Sequence, residues 1–170
     1  MPVGFRQIEI RGRDVLLNGQ RLIVRGVDRH DFSAKHAFAV TEEDMRLDIE
    51  TMKKLNFNAV RTSHYPNNNR WYELCNEYGL LLVGETDIET HGLGGQLAHD
   101  PAWGPIFLER AERMVLRDRN NPCIGFWSLG NESGCGANHA AMAGWIRLAD
   151  PTRPVQYESG NTPPSVSDIY

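Results

Sequence analysis

The chain has 170 residues, of which 41% are hydrophobic and 24% are charged, and its net charge at pH 7 is −4. This composition is typical of a globular protein long enough to bury a core, and one domain is the first expectation. The negative balance, without a run of Lys or Arg, argues against nucleic acid or an anionic membrane as the main partner. The composition and charge are compatible with a small neutral substrate.

The cysteines and the N-terminus bear on the compartment. Cys75, Cys123 and Cys135 show no CxxC spacing, so they predict neither a disulfide framework nor a zinc site and favour a reducing environment. The first residues lack the layout of a signal peptide, and no apolar run is long enough to span a bilayer. The sequence therefore predicts a soluble, cytoplasmic protein.

An antiparallel unit opens the chain. Residues 5–10 alternate apolar and polar side chains, as a half-buried strand does. Residues 15–17 and 21–24 flank Asn18-Gly19, a pair that readily takes the positive φ angles of a type I′ turn. These two runs predict a β-hairpin.

From residue 22 onward, strand-like and helical runs alternate. The predicted strands lie at residues 22–27, 59–61, 80–83, 123–128 and 155–157, with a sixth beginning at 167–170. The predicted helices are one opened by Thr41 and Asp44 with Met45, Ile49 and Met52 on one face, one at 69–78 ended by Gly79, one at 106–117 and one at 137–148. A long loop at 85–101 separates two of these units.

Successive βα units imply a parallel sheet covered by helices. An open doubly wound sheet and a barrel share this rhythm, but no GxGxxG motif or P-loop follows any predicted strand. We therefore expect an α/β fold, an incomplete TIM (β/α)8 barrel of about the first five to six strands, preceded by a short β-hairpin. A complete barrel takes about 250 residues, so the chain is expected to be a fragment.

Polar residues follow each of the first four predicted strands. The four tips are residues 25–30, residues 61–66, residues 85–92 and the pair Asn131-Glu132. A barrel brings such tips onto one face. A single histidine is more often structural than catalytic, but four successive placements favour a common site.

The apolar run at 124–129 stops at Asn131-Glu132, between Gly130 and Gly134. This pattern predicts a carboxyl group at the end of a buried strand, in an apolar surrounding that suits a general acid. The alternative is a glutamate that caps the next helix.

Glu89 and His91 are two residues apart, so in extended backbone they point the same way. With Glu132 as a third ligand they predict a site for a divalent ion, with Mg²⁺ favoured by the carboxylates and Mn²⁺ also possible. An isolated E-x-H is a weak signal, and a histidine hydrogen-bonded to a surface carboxylate is the alternative.

His30, His64 and Asn131 offer donors and acceptors for sugar hydroxyls, and Tyr65 and Trp127 offer flat faces for stacking. Trp127 equally suits the barrel core. Arg61 is expected to hold a neighbouring carboxylate in its ionised form.

Several segments together resemble the long, lactose-operon type of β-galactosidases in glycoside hydrolase family two. They are Val3-Gly4-Phe5-Arg6, Leu17-Asn18-Gly19, Arg25-Gly26-Val27-Asp28-Arg29-His30, the segment from Asn58 to Pro66, Ile88-Glu89-Thr90-His91-Gly92 and the segment from Trp127 to Gly134. The ETHG and NESGxGxN motifs indicate the galactosidase branch rather than β-glucuronidases or β-mannosidases. Asp28, where Asn is expected, and Gly84, where an acidic residue is expected, depart from the family pattern.

The resemblance implies hydrolysis of terminal non-reducing β-D-galactose residues in β-D-galactosides, with retention. Glu132 would be the acid/base and also a Mg²⁺ ligand with Glu89 and His91, while His30, His64 and Asn131 would contact the galactose. A monovalent cation site is expected in the family, but its ligands are not identifiable here. The nucleophile would lie in a Cys-Glu-Tyr-type segment that this chain does not match.

The resemblance also implies an organisation. Residues 1–20 would form the edge of a preceding β-sandwich and the entry hairpin, and residues 21–170 the N-terminal part of the catalytic barrel. The rest of the barrel and other domains would be partners, the complete protein is expected to be a homo-oligomer, and the isolated chain is expected to be inactive. Glu158, after the fifth predicted strand, is interpreted as structural support rather than as the nucleophile.

The residues by themselves are also compatible with two other functions. One is a non-catalytic or complementing carbohydrate-binding barrel fragment. The other is a different metal-dependent hydrolase, with His30, His64, Glu89 and His91 at one ion.

Overall fold

The computed structural model describes residues 3–159 and 161–169 of the chain. Within them, the strands are Ile8–Arg11 (β1), Asp14–Leu17 (β2), Gln20–Arg21 (β3), Gly26–Arg29 (β4), Ala59–Thr62 (β5), Leu81–Glu85 (β6), Ile124–Ser128 (β7) and Val155–Gln156 (β8). The α-helices are Glu42–Lys54 (α1), Asn69–Tyr78 (α2), Gln96–His99 (α3), Gly104–Asp118 (α4) and Ala137–Ala149 (α5).

The first three strands form an antiparallel sheet in the order β1-β2-β3, with Ile8 opposite Leu17. Asn18 and Gly19 both have positive φ, 52° and 78°, as a type I′ turn requires. The predicted hairpin is therefore present, although its second arm, β3, has only two residues.

The five remaining strands form one parallel sheet in which sequence order and spatial order coincide, β4-β5-β6-β7-β8. Helices connect successive strands: α1 and α2 follow β4 and β5, α3 and α4 follow β6, and α5 follows β7. Neighbouring strands that are consecutive in the chain are the arrangement of a TIM barrel, so the predicted incomplete α/β barrel of five to six strands is confirmed.

The first barrel strand was predicted at 22–27 but lies at Gly26–Arg29. The cause is the side chain of Asn58, which accepts a hydrogen bond from Arg25 N and donates one to Ile23 O, both at 2.8 Å. Because an amide side chain satisfies this stretch of backbone, the regular ladder begins only at Gly26.

Helix boundaries follow local signals. Thr41 Oγ1 accepts from Asp44 N and Asp44 Oδ2 accepts from Thr41 N, which is the predicted capping box of α1. Helix α2 ends at Gly79, whose φ of 68° is left-handed as predicted.

The core lies between the parallel sheet and its helices. It includes Met45, Ile49 and Met52 on the buried face of α1, as predicted. Trp127 of β7 is fully buried there and donates from Nε1 to Asp150 Oδ2 at 2.9 Å. Trp127 therefore belongs to the core and is not a platform for a sugar.

Gly84 explains how this large ring is accommodated. A Cβ at position 84 would lie 3.1 Å from Trp127 Cζ3, so a residue with a side chain would press on the indole. Glycine at position 84, where the family pattern has an acidic residue, therefore allows the close packing of β6 against β7.

Other predicted boundaries shift by a few residues. The strand predicted at 80–83 is Leu81–Glu85, and the predicted loop at 85–101 contains α3 and short 3₁₀ turns at His91–Leu93 and Pro101–Trp103. The sixth strand predicted at 167–170 is represented by one parallel bridge between Gln156 and Ile169, and Tyr170 lies outside the described residues. Across residues 3–159 and 161–169, no helix combines the length and apolar character needed to cross a membrane.

Candidate active site

A buried carboxylate lies where β5, β6 and β7 end. The side chain of Glu85, the last residue of β6, is completely buried. Arg61 of β5 pairs with it through two contacts, Nε to Oε2 at 2.5 Å and Nη2 to Oε1 at 3.0 Å. Ser128 Oγ of β7 donates to Glu85 Oε2 at 2.7 Å. The carboxylate that the sequence placed beside Arg61 is therefore Glu85.

This ion pair keeps the Arg61 guanidinium charged. Burial alone would lower the pKa of the Arg61 guanidinium, but the hydrogen bonds to Glu85 and its negative charge outweigh burial and raise that pKa. A buried carboxylate with this many donors is a rigid anchor for the groups bonded to it.

His64 is one of those groups. Its Nδ1 lies 2.7 Å from Glu85 Oε1, so the second ring nitrogen, Nε2, is the one available for a ligand. The His64 ring packs edge-on against His30, with ring centroids 5.4 Å apart. The ring of Tyr65, the residue after His64, lies 6.0 Å from that of His30. The structure therefore brings His30 and His64 together, as predicted.

Asn131 connects this anchor to the next pair of residues. Arg61 Nη2 donates to Asn131 Oδ1 at 2.8 Å, and Asn131 Nδ2 donates to Glu89 Oε2 at 2.5 Å. The backbones of Glu89 and Asn131 also form a parallel bridge. A continuous chain of contacts thus runs from His64 through Glu85 and Arg61 to Glu89.

Glu89, His91 and Glu132 form the predicted cluster of possible metal ligands. One ligand atom from each lies within 4.8 Å of the other two, and His91 Nδ1 is 2.5 Å from Glu132 Oε2. All three residues are exposed. Among the described residues this group does not include His30 or His64, so the arrangement of His30, His64, Glu89 and His91 around one ion is not formed.

The cluster fits a hard divalent cation. Two ligands on opposite sides of Mg²⁺, each about 2.1 Å away, are about 4.2 Å apart. The observed spread of up to 4.8 Å needs only a small closing of exposed side chains. Two carboxylates and one imidazole are a donor set that suits Mg²⁺ and also Mn²⁺.

The surroundings of Glu132 differ from the expectation. The sequence predicted an apolar environment, but the side chain is 52% exposed and faces His91. The prediction is wrong because the buried run ends at Asn131, after which the chain turns outward: Glu132 has a left-handed φ of 40°. Nor does Glu132 cap the following helix, since the N-cap of α5 is Gly136.

The next strand end holds this turn in place. Glu132 N donates to Glu158 Oε1 at 2.8 Å. Ser133 N donates to the hydroxyl of Tyr157, which itself donates to Gly134 O. Burial raises the pKa of Tyr157 to about 12, so the hydroxyl stays a donor at neutral pH. Sequence patterns missed Tyr157, since nothing in the local sequence shows which loop it faces.

Two glycines let the metal-ligand loops touch through their backbones. A Cβ at Gly134 would lie 2.5 Å from the Cα of Gly95, and a Cβ at Gly136 would overlap the carbonyl oxygen of Ala98. Ser133 Oγ adds a hydrogen bond from Thr90 N at 2.8 Å. The loop that carries Glu132 is therefore packed directly on the loop that carries His91.

A cleft of about 480 Å³ opens beside the cluster, with Glu89 and His91 on one side and Trp103 and Phe107 on the other. A larger cleft, about 760 Å³, lies at the opposite ends of the strands and includes Arg6 and Arg153. In TIM barrels the chemistry lies at the carboxyl ends of the strands, so the first cleft is the relevant one.

The chain is similar in sequence to known glycosidases. Residues 8–170 match the family described as "Glycosyl hydrolases family 2, TIM barrel domain". The chain is 53% identical over 169 residues to a β-galactosidase of Oenococcus oeni, covering 98% of this chain and 16% of the relative. It is 54% identical to a β-galactosidase of Pectobacterium atrosepticum, with the same coverage. The chain thus spans about 16% of the length of these curated relatives.

Solved structures show the same fold. A β-galacturonidase from Eisenbergiella tayi bound to galacturonate superposes with a TM-score of 0.79 at 28% identity, covering 91% of this chain and 28% of that chain. A Parabacteroides merdae β-glucuronidase with glycerol in its active site superposes with a TM-score of 0.84 at 25% identity, covering 99% of this chain and 22% of that one. With the family matched over almost its whole length, the chain belongs to glycosyl hydrolase family 2 and forms part of that family's TIM barrel domain.

Proposed function

We propose that this segment is the acid/base and metal-binding part of a β-galactosidase that hydrolyses terminal non-reducing β-D-galactose residues with retention. The observation that carries the proposal is the meeting of Glu89, His91 and Glu132 within 4.8 Å at the carboxyl ends of the strands. Identity above 50% to β-galactosidases supports the galactoside as the substrate.

Glu132 is the proposed general acid and then the general base. In a retaining mechanism, one carboxyl group protonates the leaving oxygen and later removes a proton from water. Its exposed position on the active face leaves it accessible to substrate, and its contact with His91 orients the carboxyl group.

Glu89, His91 and Glu132 would hold Mg²⁺, with Mn²⁺ as the other candidate. When bound, the ion would supply positive charge beside the Glu132 carboxyl group. Asn131 keeps Glu89 in place through its 2.5 Å hydrogen bond, so the cluster depends on the anchor at Glu85 and Arg61.

His30, His64 and Asn131 are the proposed contacts to the sugar. His64 is fixed by its bond to Glu85, which directs Nε2 away from the anchor. Because the His64 side chain is already ordered, binding of a hydroxyl group causes little further loss of its conformational entropy.

The second carboxyl group of a retaining mechanism is expected about 5 Å from the acid/base. We place it in a later strand of the barrel, in agreement with the family resemblance. Glu158 is not assigned this role, because its Oε1 already accepts the Glu132 N–H. The monovalent cation site, the cytoplasmic location and the homo-oligomeric assembly stay predictions.

The test compares p-nitrophenyl β-D-galactoside with the matching β-D-glucuronide, using this polypeptide extended to the length of its β-galactosidase relatives. We expect hydrolysis of the galactoside, with the β-anomer of galactose appearing first in the proton NMR spectrum. Faster hydrolysis of the glucuronide would contradict the substrate, and initial release of the α-anomer would contradict retention.

The same assay tests the residues. Glu132→Gln is expected to lower kcat by about 10²- to 10⁴-fold, the usual contribution of a general acid/base. The loss should be smaller with 2,4-dinitrophenolate, a leaving group that needs no proton. Glu109→Gln, an exposed carboxylate on α4 that pairs with Arg113, is the matched control and should leave kcat unchanged.

A further inference from the structure

Glu158 lies one residue beyond Tyr157, where the chain leaves β8, and its side chain reaches across to the neighbouring strand end. There Oε1 accepts the backbone N–H of Glu132 at 2.8 Å. Glu158 is exposed and belongs neither to the metal cluster nor to the proposed sugar contacts. It is therefore a charged residue with a defined contact that the mechanism described so far does not use.

The contact falls on a strained part of the backbone. Glu132 has a φ of 40°, in the left-handed region that side chains with a Cβ rarely adopt. Such a conformation persists only where surrounding contacts hold it. The Glu158 side chain is long enough for Oε1 to accept the Glu132 N–H at 2.8 Å, a normal hydrogen-bond length, so its oxygen is a suitable holder.

We propose that Glu158 is a positioning residue, whose carboxylate oxygen fixes the main chain of Glu132 so that the Glu132 carboxyl group stays beside His91 and Glu89. This inference rests on the proposed function, because it assigns Glu158 a task only if Glu132 serves as acid/base and ligand.

The neighbouring contacts show why one acceptor matters. Tyr157 holds the next two residues, with its hydroxyl bonded to Ser133 N and Gly134 O. Ser133 Oγ is bonded to Thr90 N on the other side. Residues 133 and 134 are thus fixed independently, and Glu158 supplies the restraint at Glu132 itself.

Three substitutions of Glu158 distinguish the effect of its hydrogen-bond acceptor from the effect of its negative charge. Glu158→Gln keeps an oxygen at the same reach and removes the charge. Glu158→Asp keeps the charge but withdraws the oxygen by one methylene, and Glu158→Ala removes both. Glu109→Gln, at an exposed carboxylate on α4 that pairs with Arg113, is the control for loss of a negative charge.

Two quantities are measured on the polypeptide extended to the length of its β-galactosidase relatives: Mn²⁺ affinity by electron paramagnetic resonance, and kcat on p-nitrophenyl β-D-galactoside. Removing a group that orients a metal ligand typically costs about 10- to 100-fold in affinity or activity. We expect Glu158→Asp and Glu158→Ala to show losses of this size in both, and Glu158→Gln and Glu109→Gln to resemble the wild type.

A purely structural role would lower the melting temperature while leaving the Mn²⁺ affinity of the folded protein unchanged, and would overturn the proposal. So would a Glu158→Asp variant that resembles the wild type, or a Glu158→Gln variant as impaired as Glu158→Asp. If Glu158 were instead the nucleophile, Glu158→Gln would abolish turnover with Mn²⁺ affinity intact. A wild-type protein that neither binds Mn²⁺ nor hydrolyses the galactoside refutes the proposed function itself, a result distinct from those given by the variants.

Discussion

At the scale of single residues, a buried negative charge organises the site. The Glu85 carboxylate is removed from water, a costly state unless donors surround it. Arg61, Ser128 and His64 all contact it, Arg61 and His64 from β5 and its end and Ser128 from β7. Burying Glu85 costs free energy, but the hydrogen bonds that offset this cost also fix the orientations of Arg61 and of His64, a proposed sugar contact.

His139 on α5 is a second buried polar residue, and it has no such partners. Its ring stacks on Tyr157 with centroids 4.3 Å apart and meets the edge of Phe107 at 5.3 Å. Neither ring nitrogen has a hydrogen-bond partner among the described residues. Burial, followed by the charge of His99, lowers the pKa of His139 to about 4.

This lowered pKa predicts an acid-sensitive stability. The unfolded chain binds a proton at His139 near pH 6.5 and the folded chain only near pH 4, so the free energy of unfolding falls as pH drops across that window. The contribution is at most about 3 kcal/mol. In His139→Phe, which keeps a flat ring, urea unfolding between pH 7 and pH 4 should show a smaller loss than in the wild type.

His99→Gln, a change at an exposed histidine nearby, serves as the control and should retain most of the wild-type pH dependence, because burial is the larger cause of the lowered pKa of His139. Equal losses in His139→Phe and the wild type would show that His139 does not titrate in this window.

At the scale of elements, local signals decided how well the sequence predicted the structure. Helix α2 was placed correctly from residue 69 to residue 78 because Gly79 ends it through its own backbone conformation. Strand β4 was misplaced because the residue that interrupts the ladder, Asn58, is 33 positions away from Arg25. Caps act within a few residues, whereas the start of a strand depends on what lies beside it.

The same distinction applies to the site. His30 and His64 form one group and Glu89, His91 and Glu132 another, and each group could be predicted because its residues follow strands within recognisable motifs. The contacts of Glu158 and Tyr157 could not, because they depend on the register between β7 and β8, where Trp127 lies opposite Val155. The exposure of Glu132 was missed because a positive φ at a residue other than glycine leaves no pattern in the sequence.

The capping box of α1 gives a prediction at this scale. Thr41→Ala removes the oxygen that accepts from Asp44 N at 3.2 Å, and should lower the free energy of unfolding by about 1 kcal/mol. Thr51→Ala in the same helix removes only a side-chain bond to Leu47 O at an exposed interior position, where alanine is the better helix former.

Chemical denaturation of the two variants measures the difference. Thr51→Ala should match or slightly exceed the wild type, and a Thr41→Ala variant as stable as Thr51→Ala would show that the cap contributes nothing.

At the scale of the whole molecule, the parallel sheet is open. Among the described residues β4 pairs with β5 alone, and Ile23 and Val24 just before it are 55% and 51% exposed. An unpaired strand edge next to exposed apolar side chains favours association with another chain. The division of the chain at residue 20 stays a prediction.

We therefore expect the 170-residue polypeptide, expressed alone, to self-associate and to turn over little p-nitrophenyl β-D-galactoside. Size-exclusion chromatography with light scattering measures the first property, and the chromogenic assay the second. A polypeptide extended to the length of the β-galactosidase relatives is the control for activity. A monodisperse 170-residue monomer with turnover comparable to the control would contradict both expectations.

The backbone contact between Gly134 and Gly95 limits how the loop that contains Gly95 can change in length. Since two main chains meet there with no side chain between them, lengthening or shortening the stretch from residue 92 to residue 99 would push directly on the turn at Glu132. Insertions in that stretch would therefore displace the carboxyl group of Glu132, the proposed acid/base, even when every proposed ligand and sugar contact is retained.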